Sequence, residues 1–180
     1  PVYDHGFAPN RAFTSVYGGR AVPYFTNSRG FRDFEIREVA RKAPGKRLLL
    51  SGDSFTEGIY YPYAETFAGR IQRALGASGI DVLNAAVTSY APSVYYAKIK
   101  HLLEVEPLSF DAVAVFIDIG DIQDESRCYR DVGASGTLDT CSPARRIEKR
   151  IKEWLKDNSV VYRLYRVLKD SRDEVRRREG

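Results

Sequence analysis

The sequence predicts an α/β fold of three layers, with helices on both sides of a mainly parallel sheet. Three observations predict it. Short apolar runs alternate with amphipathic stretches of helical period, the connections between them are short, and each apolar run ends in a small polar cluster. Parallel neighbours need crossovers, and those crossovers are usually helical. A chain of 180 residues that is 43% hydrophobic has the length of one domain and enough apolar side chains for one sizeable core.

Residues 1–35 carry Tyr3, Phe7, Phe13, Tyr17, Tyr24, Phe25, Phe31 and Phe34 between Gly, Pro and Asn, a pattern of short strands or an extended arm. The basic linker Arg41–Arg47, with Pro44 and Gly45, leads into Leu48–Leu50, a buried strand that ends at Gly52. After a loop over Gly58–Tyr63, Ala64–Leu75 reads as a helix with Phe67, Ile71, Ala74 and Leu75 on one face, ended by Gly76 and Gly79. Asp81–Val87 is the second strand. Pro92 opens a helix that aligns Tyr95, Ile99, Leu102 and Leu103 before Pro107 stops it. Ala112–Ile119 is the third strand and the most apolar. Ser142 and Pro143 start a further helix with an Ile147, Ile151, Trp154 and Leu155 stripe, and Val160, Val161, Leu164, Val167 and Leu168 support its partner. The expected division is an amino-terminal arm and linker over 1–46, an α/β core over 47–141 and a helical hairpin over 142–180. There is no internal repeat or low-complexity tract.

Charge narrows the function classes. The chain has 28 Lys and Arg against 24 Asp and Glu, and from Pro143 onward 13 basic residues stand against 7 acidic ones. The excess therefore sits in a tail where acids and bases mix at helical spacing, as on a solvated helix face, and no nucleic-acid partner is expected. No run approaches the roughly 20 apolar residues of a membrane helix, and Pro1–Asn10 lacks a signal-peptide layout. Membrane association is expected only through a segment outside this chain. Cys128 and Cys141 flank a Gly, Ser, Asp and Thr-rich stretch, which fits either a disulfide across a surface loop or two free thiols. The chain opens on Pro1 and has no Met, so a processed or partial chain is expected.

In parallel α/β sheets ligands gather at the carboxyl ends of strands. Those ends here are Gly52-Asp53-Ser54, Thr88-Ser89-Tyr90 and Gly120-Asp121. A serine just past a buried strand, at a turn into a helix, gains position and a partial positive field from backbone N–H groups. It still needs a base and oxyanion donors. A phosphate-binding reading of Gly52–Gly58 fails because the stretch lacks a Gly-Lys-Ser/Thr ending. No dinucleotide fingerprint or metal-ligand spacing occurs, so no cofactor and no metal are expected. Asp118, Asp121, Asp124 and Glu125 could draw a hard cation, but a charged strand-to-loop transition accounts for them more simply.

Gly52-Asp53-Ser54-Phe55-Thr56-Glu57-Gly58 resembles the first block of the GDSL (SGNH) hydrolase family. Asn84-Ala85-Ala86-Val87-Thr88-Ser89-Tyr90 is similar to the second block and Ile119-Gly120-Asp121-Ile122-Gln123-Asp124 to the third, together spanning roughly residues 48–125. Asn27-Ser28-Arg29-Gly30-Phe31-Arg32 also resembles a segment that precedes the first block in some exported bacterial members. The resemblance implies Ser54 as nucleophile and an oxyanion hole from the N–H groups of Ser54 and Ser89 with a contribution at Gly120. Asp53, Asn84 and Asp121 would support that site. Two departures matter. Ser89 stands where the family commonly has Gly, and Gly120 where it usually has Asn; loss of a side-chain oxyanion donor typically costs about 2.7 to 4 kcal/mol of transition-state stabilisation.

The family's final Asp-x-x-His block has no match. Only His5 and His101 exist, the one in the amino-terminal arm and the other in the middle of a predicted helix, and neither is expected to act as the base. The chain is expected to stop short of that block. The resemblance implies ester hydrolysis, with O-acetyl or other short acyl esters of a carbohydrate or small molecule as substrate, and a periplasmic or extracellular setting. Two alternatives stay open: a non-catalytic binding or scaffold protein on the same fold, and an O-acyltransferase using the same serine.

Overall fold

The computed structural model describes residues 5–17, 19–128 and 159, which, Ser159 aside, belong to the first of the chain's two units, Pro1–Thr140. The apolar run that follows the basic linker forms the strand β4, Arg47–Ser51. It is flanked in parallel by β5, Asp81–Asn84, and β6, Ala112–Val115. The register aligns Leu48 with Val82 and Ala112, and Leu50 with Asn84 and Ala114.

The sheet is mixed α/β rather than mainly parallel. The aromatic stretch supplies β1, Ala12–Tyr17, β2, Arg20–Thr26, and the two-residue β3, Arg32–Asp33. Tyr17 and Arg20 close a hairpin, β2 pairs antiparallel with β3, and Arg32 pairs antiparallel with Asn84. The order is β1-β2-β3-β5-β4-β6, so three of the five pairings are antiparallel. The reason is local. A strand joined to its neighbour by a tight turn can only run back against it, and β3 then satisfies the edge of β5 that a crossover strand would otherwise have taken. The amino-terminal arm is thus part of the sheet itself.

Alternation along the central strands divides the core. Leu49 and Leu83 pack with Phe31, Val39, Leu108 and Leu102, the last from α3, Pro92–Glu104. Leu50 and Val82 turn the other way to Tyr63 and Ala68, with Ile71 and Leu75 alongside, all three of the last from α2, Phe67–Gly76. Strands covered on both faces read as continuous apolar runs, which is why Leu48–Leu50 carries no polar residue. A 3-10 turn, Tyr63–Glu65, precedes α2, and Thr66 caps the helix by accepting the Gly69 N–H. The predicted helix over 64–75 is therefore two pieces, because that cap interrupts it.

The third strand is shorter than its apolar pattern predicts. The Phe116 N–H makes the last bond to the Ser51 carbonyl, and a new helix, α4, runs over Ile119–Cys128. Asp118 starts it, so Ile117 and Ile119 leave the sheet exposed. Among the described residues no helix is long and apolar enough to cross a membrane. The expected helical hairpin over 142–180 and the pairing of Cys128 with Cys141 lie outside the described residues.

Candidate functional site

Ser54 is the first residue of α1, Ser54–Glu57, a single turn set on the carboxyl end of β4. Asp53 caps that turn: its Oδ1 accepts the Phe55 N–H at 2.9 Å, and its Oδ2 accepts the Ser54 hydroxyl at 3.2 Å. The half-buried Ser54 side chain is thereby aimed by the residue before it. Gly58 ends the turn in the left-handed region, φ 79°. An added Cβ there would lie 2.4 Å from Thr66 Cγ2, so the position is reserved for glycine.

One helical turn does not hold itself in water; this one is held from outside. Asn84 Nδ2 donates to the Thr56 carbonyl at 2.9 Å, and Asn84 Oδ1 accepts the Ala86 N–H. Arg32, fully buried, donates to the Glu57 carbonyl at 2.5 Å and to the Tyr61 carbonyl at 2.7 Å while lying over the Tyr24 ring. Burial pulls the Arg32 guanidinium down, opposed by Tyr24 and Glu57. Asn27 fixes the turn before β3, its Oδ1 accepting the Arg29 and Phe31 N–H groups and its Nδ2 donating to Asp33. The segment 27–32 is therefore a bracket for α1.

The second strand end is tied to the first through Glu57, which is 2% exposed. Its Oε2 accepts the Thr88 N–H at 2.5 Å and the Thr88 hydroxyl at 2.8 Å, and its Oε1 accepts the Tyr24 hydroxyl at 2.7 Å. Burial, then Glu57, pushes the Tyr24 phenol well above its usual range. Ser89 follows with φ 66°, a left-handed conformation that costs an L-residue roughly 1–2 kcal/mol. Beneath the loop, Lys98 donates to the Ala85 carbonyl at 2.7 Å and lies over the Tyr90 ring; burial pushes its amine down to about 7.

The third strand end is organised by α4. Asp118 Oδ1 accepts the Asp121 N–H at 3.0 Å and Asp121 Oδ2 accepts the Asp118 N–H at 2.9 Å, a reciprocal cap of the helix start. A Cβ at Gly120 would lie 2.9 Å from Asp118 Oδ1, so the Asp118 carboxylate fills the space where a side chain at 120 would begin. Oxygens of Asp53, Asp118 and Asp121 lie within 4.8 Å of one another. Burial, then Asp53 and Asp118, raises the Asp121 carboxyl against the pull of the Asp118 N–H and Tyr95 hydroxyl. Three carboxylates could suit a hard cation, yet each already accepts an N–H or hydroxyl of a helix start. Of the other two acids in the predicted set, Glu125 instead accepts the N–H and hydroxyl of Ser93, and Asp124 lies outside the carboxylate trio.

No family model, curated protein or solved structure matches the chain.

The two imidazoles take opposite places. His101 is nine residues beyond Pro92 in α3, about 13 Å along the axis, and contacts Glu106 at 3.2 Å. His5 instead sits on the Ser89 loop: its Nε2 is 2.8 Å from the Thr88 carbonyl, its ring meets Tyr90 edge-on, and its carbonyl accepts the Tyr90 hydroxyl. Among the described residues no hydrogen bond joins either imidazole to Ser54. Arg32, Glu57 and Thr88 are the site residues that the sequence left without a role. All three lie inside the quoted motifs, but nothing local announces that Arg32 and Glu57 are buried.

Proposed function

We propose that the protein is a serine acyl hydrolase of the GDSL (SGNH) type, with the mixed sheet as the middle layer of an α/β/α sandwich. The reading rests on one observation above the others. The turn that Ser54 starts and the Ser89 loop come from different strand ends and are joined by the buried Glu57 carboxylate. In this mechanism Ser54 Oγ attacks the ester carbonyl, its proton passes to a general base other than His5 and His101 and from there to the leaving alcohol oxygen, and the backbone N–H groups of Ser54 and Ser89 stabilise the oxyanion. Collapse expels the alcohol and leaves an acyl-enzyme that water cleaves to free acid. Asp53 orients the hydroxyl before attack. The substrate class is a short acyl ester, O-acetyl groups on carbohydrate included.

The test is hydrolysis of p-nitrophenyl acetate by the full-length protein. Ser54→Ala should abolish turnover without altering the fold, and turnover that survives in that variant excludes Ser54 as nucleophile. A second reading, a binding or scaffold protein on the same fold, is favoured by the Asp118 carboxylate beside Gly120, where the resembled family has an amide donor. It requires that the wild-type protein show no turnover.

A further inference from the structure

We infer that Glu57 is a positioning residue of the Ser54 site: it sets the oxyanion loop against the nucleophile without touching the substrate. This rests on the serine-hydrolase reading above.

The geometry carries it. Glu57 is the last residue of α1, three after Ser54, so its backbone belongs to the nucleophile turn. Its carboxylate reaches across to the neighbouring strand end, where one oxygen takes both the N–H and the hydroxyl of Thr88. The Ser89 N–H belongs to the peptide that starts at the Thr88 Cα, and Ser89 continues from it in a left-handed backbone. Holding both the N–H and the hydroxyl of Thr88 therefore fixes the residue that sets the plane of that peptide, and with it the direction of the Ser89 N–H. The other oxygen binds Tyr24 of β2, and the Glu57 carbonyl is held by Arg32 of β3. One buried residue therefore joins the nucleophile turn, the oxyanion loop and the amino-terminal hairpin. A buried charge with three charge-assisted hydrogen bonds is stiff, and oxyanion donors act only when preorganised to within a fraction of an ångström.

The test compares Glu57→Ala, Glu57→Gln and Tyr24→Phe in the full-length protein. All three lose bonds to the same carboxylate, but only the first frees Thr88; glutamine can still accept its N–H. With p-nitrophenyl acetate, Glu57→Ala should lower kcat about a hundredfold with KM little changed. Glu57→Gln should recover to within about tenfold of wild type, and Tyr24→Phe, which removes one of the three bonds but leaves Thr88 held, should lower kcat clearly less than Glu57→Ala does. Amide hydrogen exchange at Thr88–Tyr90 should accelerate in Glu57→Ala alone. A folded Glu57→Ala protein with wild-type kcat, or equal losses in Glu57→Ala and Tyr24→Phe, overturns the inference. If the wild-type protein shows no turnover, the hydrolase reading fails. The exchange measurement then decides the positioning role by itself, and unchanged exchange at Thr88–Tyr90 in Glu57→Ala refutes it.

Discussion

Two short polar turns leave β4 and its parallel neighbour β6 and start helices with an aspartate cap, and they are built differently. At α1, Asp53 caps the turn and the rest of the molecule holds it: Asn84 and Arg32 take its carbonyls, and Glu57 extends it to Thr88. At α4, Asp118 and Asp121 cap each other, and the outward ties run to α3: the Tyr95 hydroxyl to the buried Asp121, and the Ser93 N–H and hydroxyl to Glu125. The exposure follows: Ile119 and Ile122 are open to solvent whereas Thr56 and Glu57 are buried. The first two strand ends are thus joined directly to each other by side chains, whereas the third is capped by its own aspartates and tied to α3. Gly120 belongs to the same cap, since a Cβ there would lie 2.9 Å from Asp118 Oδ1.

The largest effect expected from this difference is at Arg32. Arg32→Met strips the buried Glu57 carbonyl and the part-buried Tyr61 carbonyl of their donor and should cost about 3 kcal/mol in urea unfolding. Asp118→Ala removes only a cap and should cost about 1 kcal/mol. Equal losses would show that the two turns are held alike.

Lys98 tests the support beneath the second strand end. Its folded value of about 7 lies below the ordinary 10.5, so between those values the unfolded chain binds the extra proton. Stability should therefore rise with pH from about 7 to about 10.5 at up to roughly 1.4 kcal/mol per unit, and Lys98→Met should remove that slope. A slope unchanged in the variant would mean the amine is not the group responsible. The smallest effect is at Ser89. Replacing it with Gly relieves the left-handed strain and should stabilise by about 0.5–1 kcal/mol, read as a raised Tm.

Much of this was legible in the sequence. Leu48–Leu50 and Pro92 gave a strand and a helix start that the structure places nearly where the pattern puts them, because burial on both faces and a proline at the first turn are local signals. The end of β6 was masked by Ile117 and Ile119, whose apolar side chains continue the run although Asp118-x-x-Asp121 already spells a cap. The mixed sheet escaped because β3 is two residues long and its pairing with Asn84 is non-local. Glu57 escaped for a similar reason: its partners Tyr24 and Thr88 lie 33 and 31 residues away. Burial of a charged side chain depends on such distant partners, and periodicity does not report them.

Mass-mapped labelling of the full-length protein with a serine-directed fluorophosphonate reads the nucleophile directly. A single adduct on Ser54 of the folded protein is expected, and none after denaturation. Adduct on another residue, or no adduct on a protein shown to be folded, would contradict Ser54 as the nucleophile.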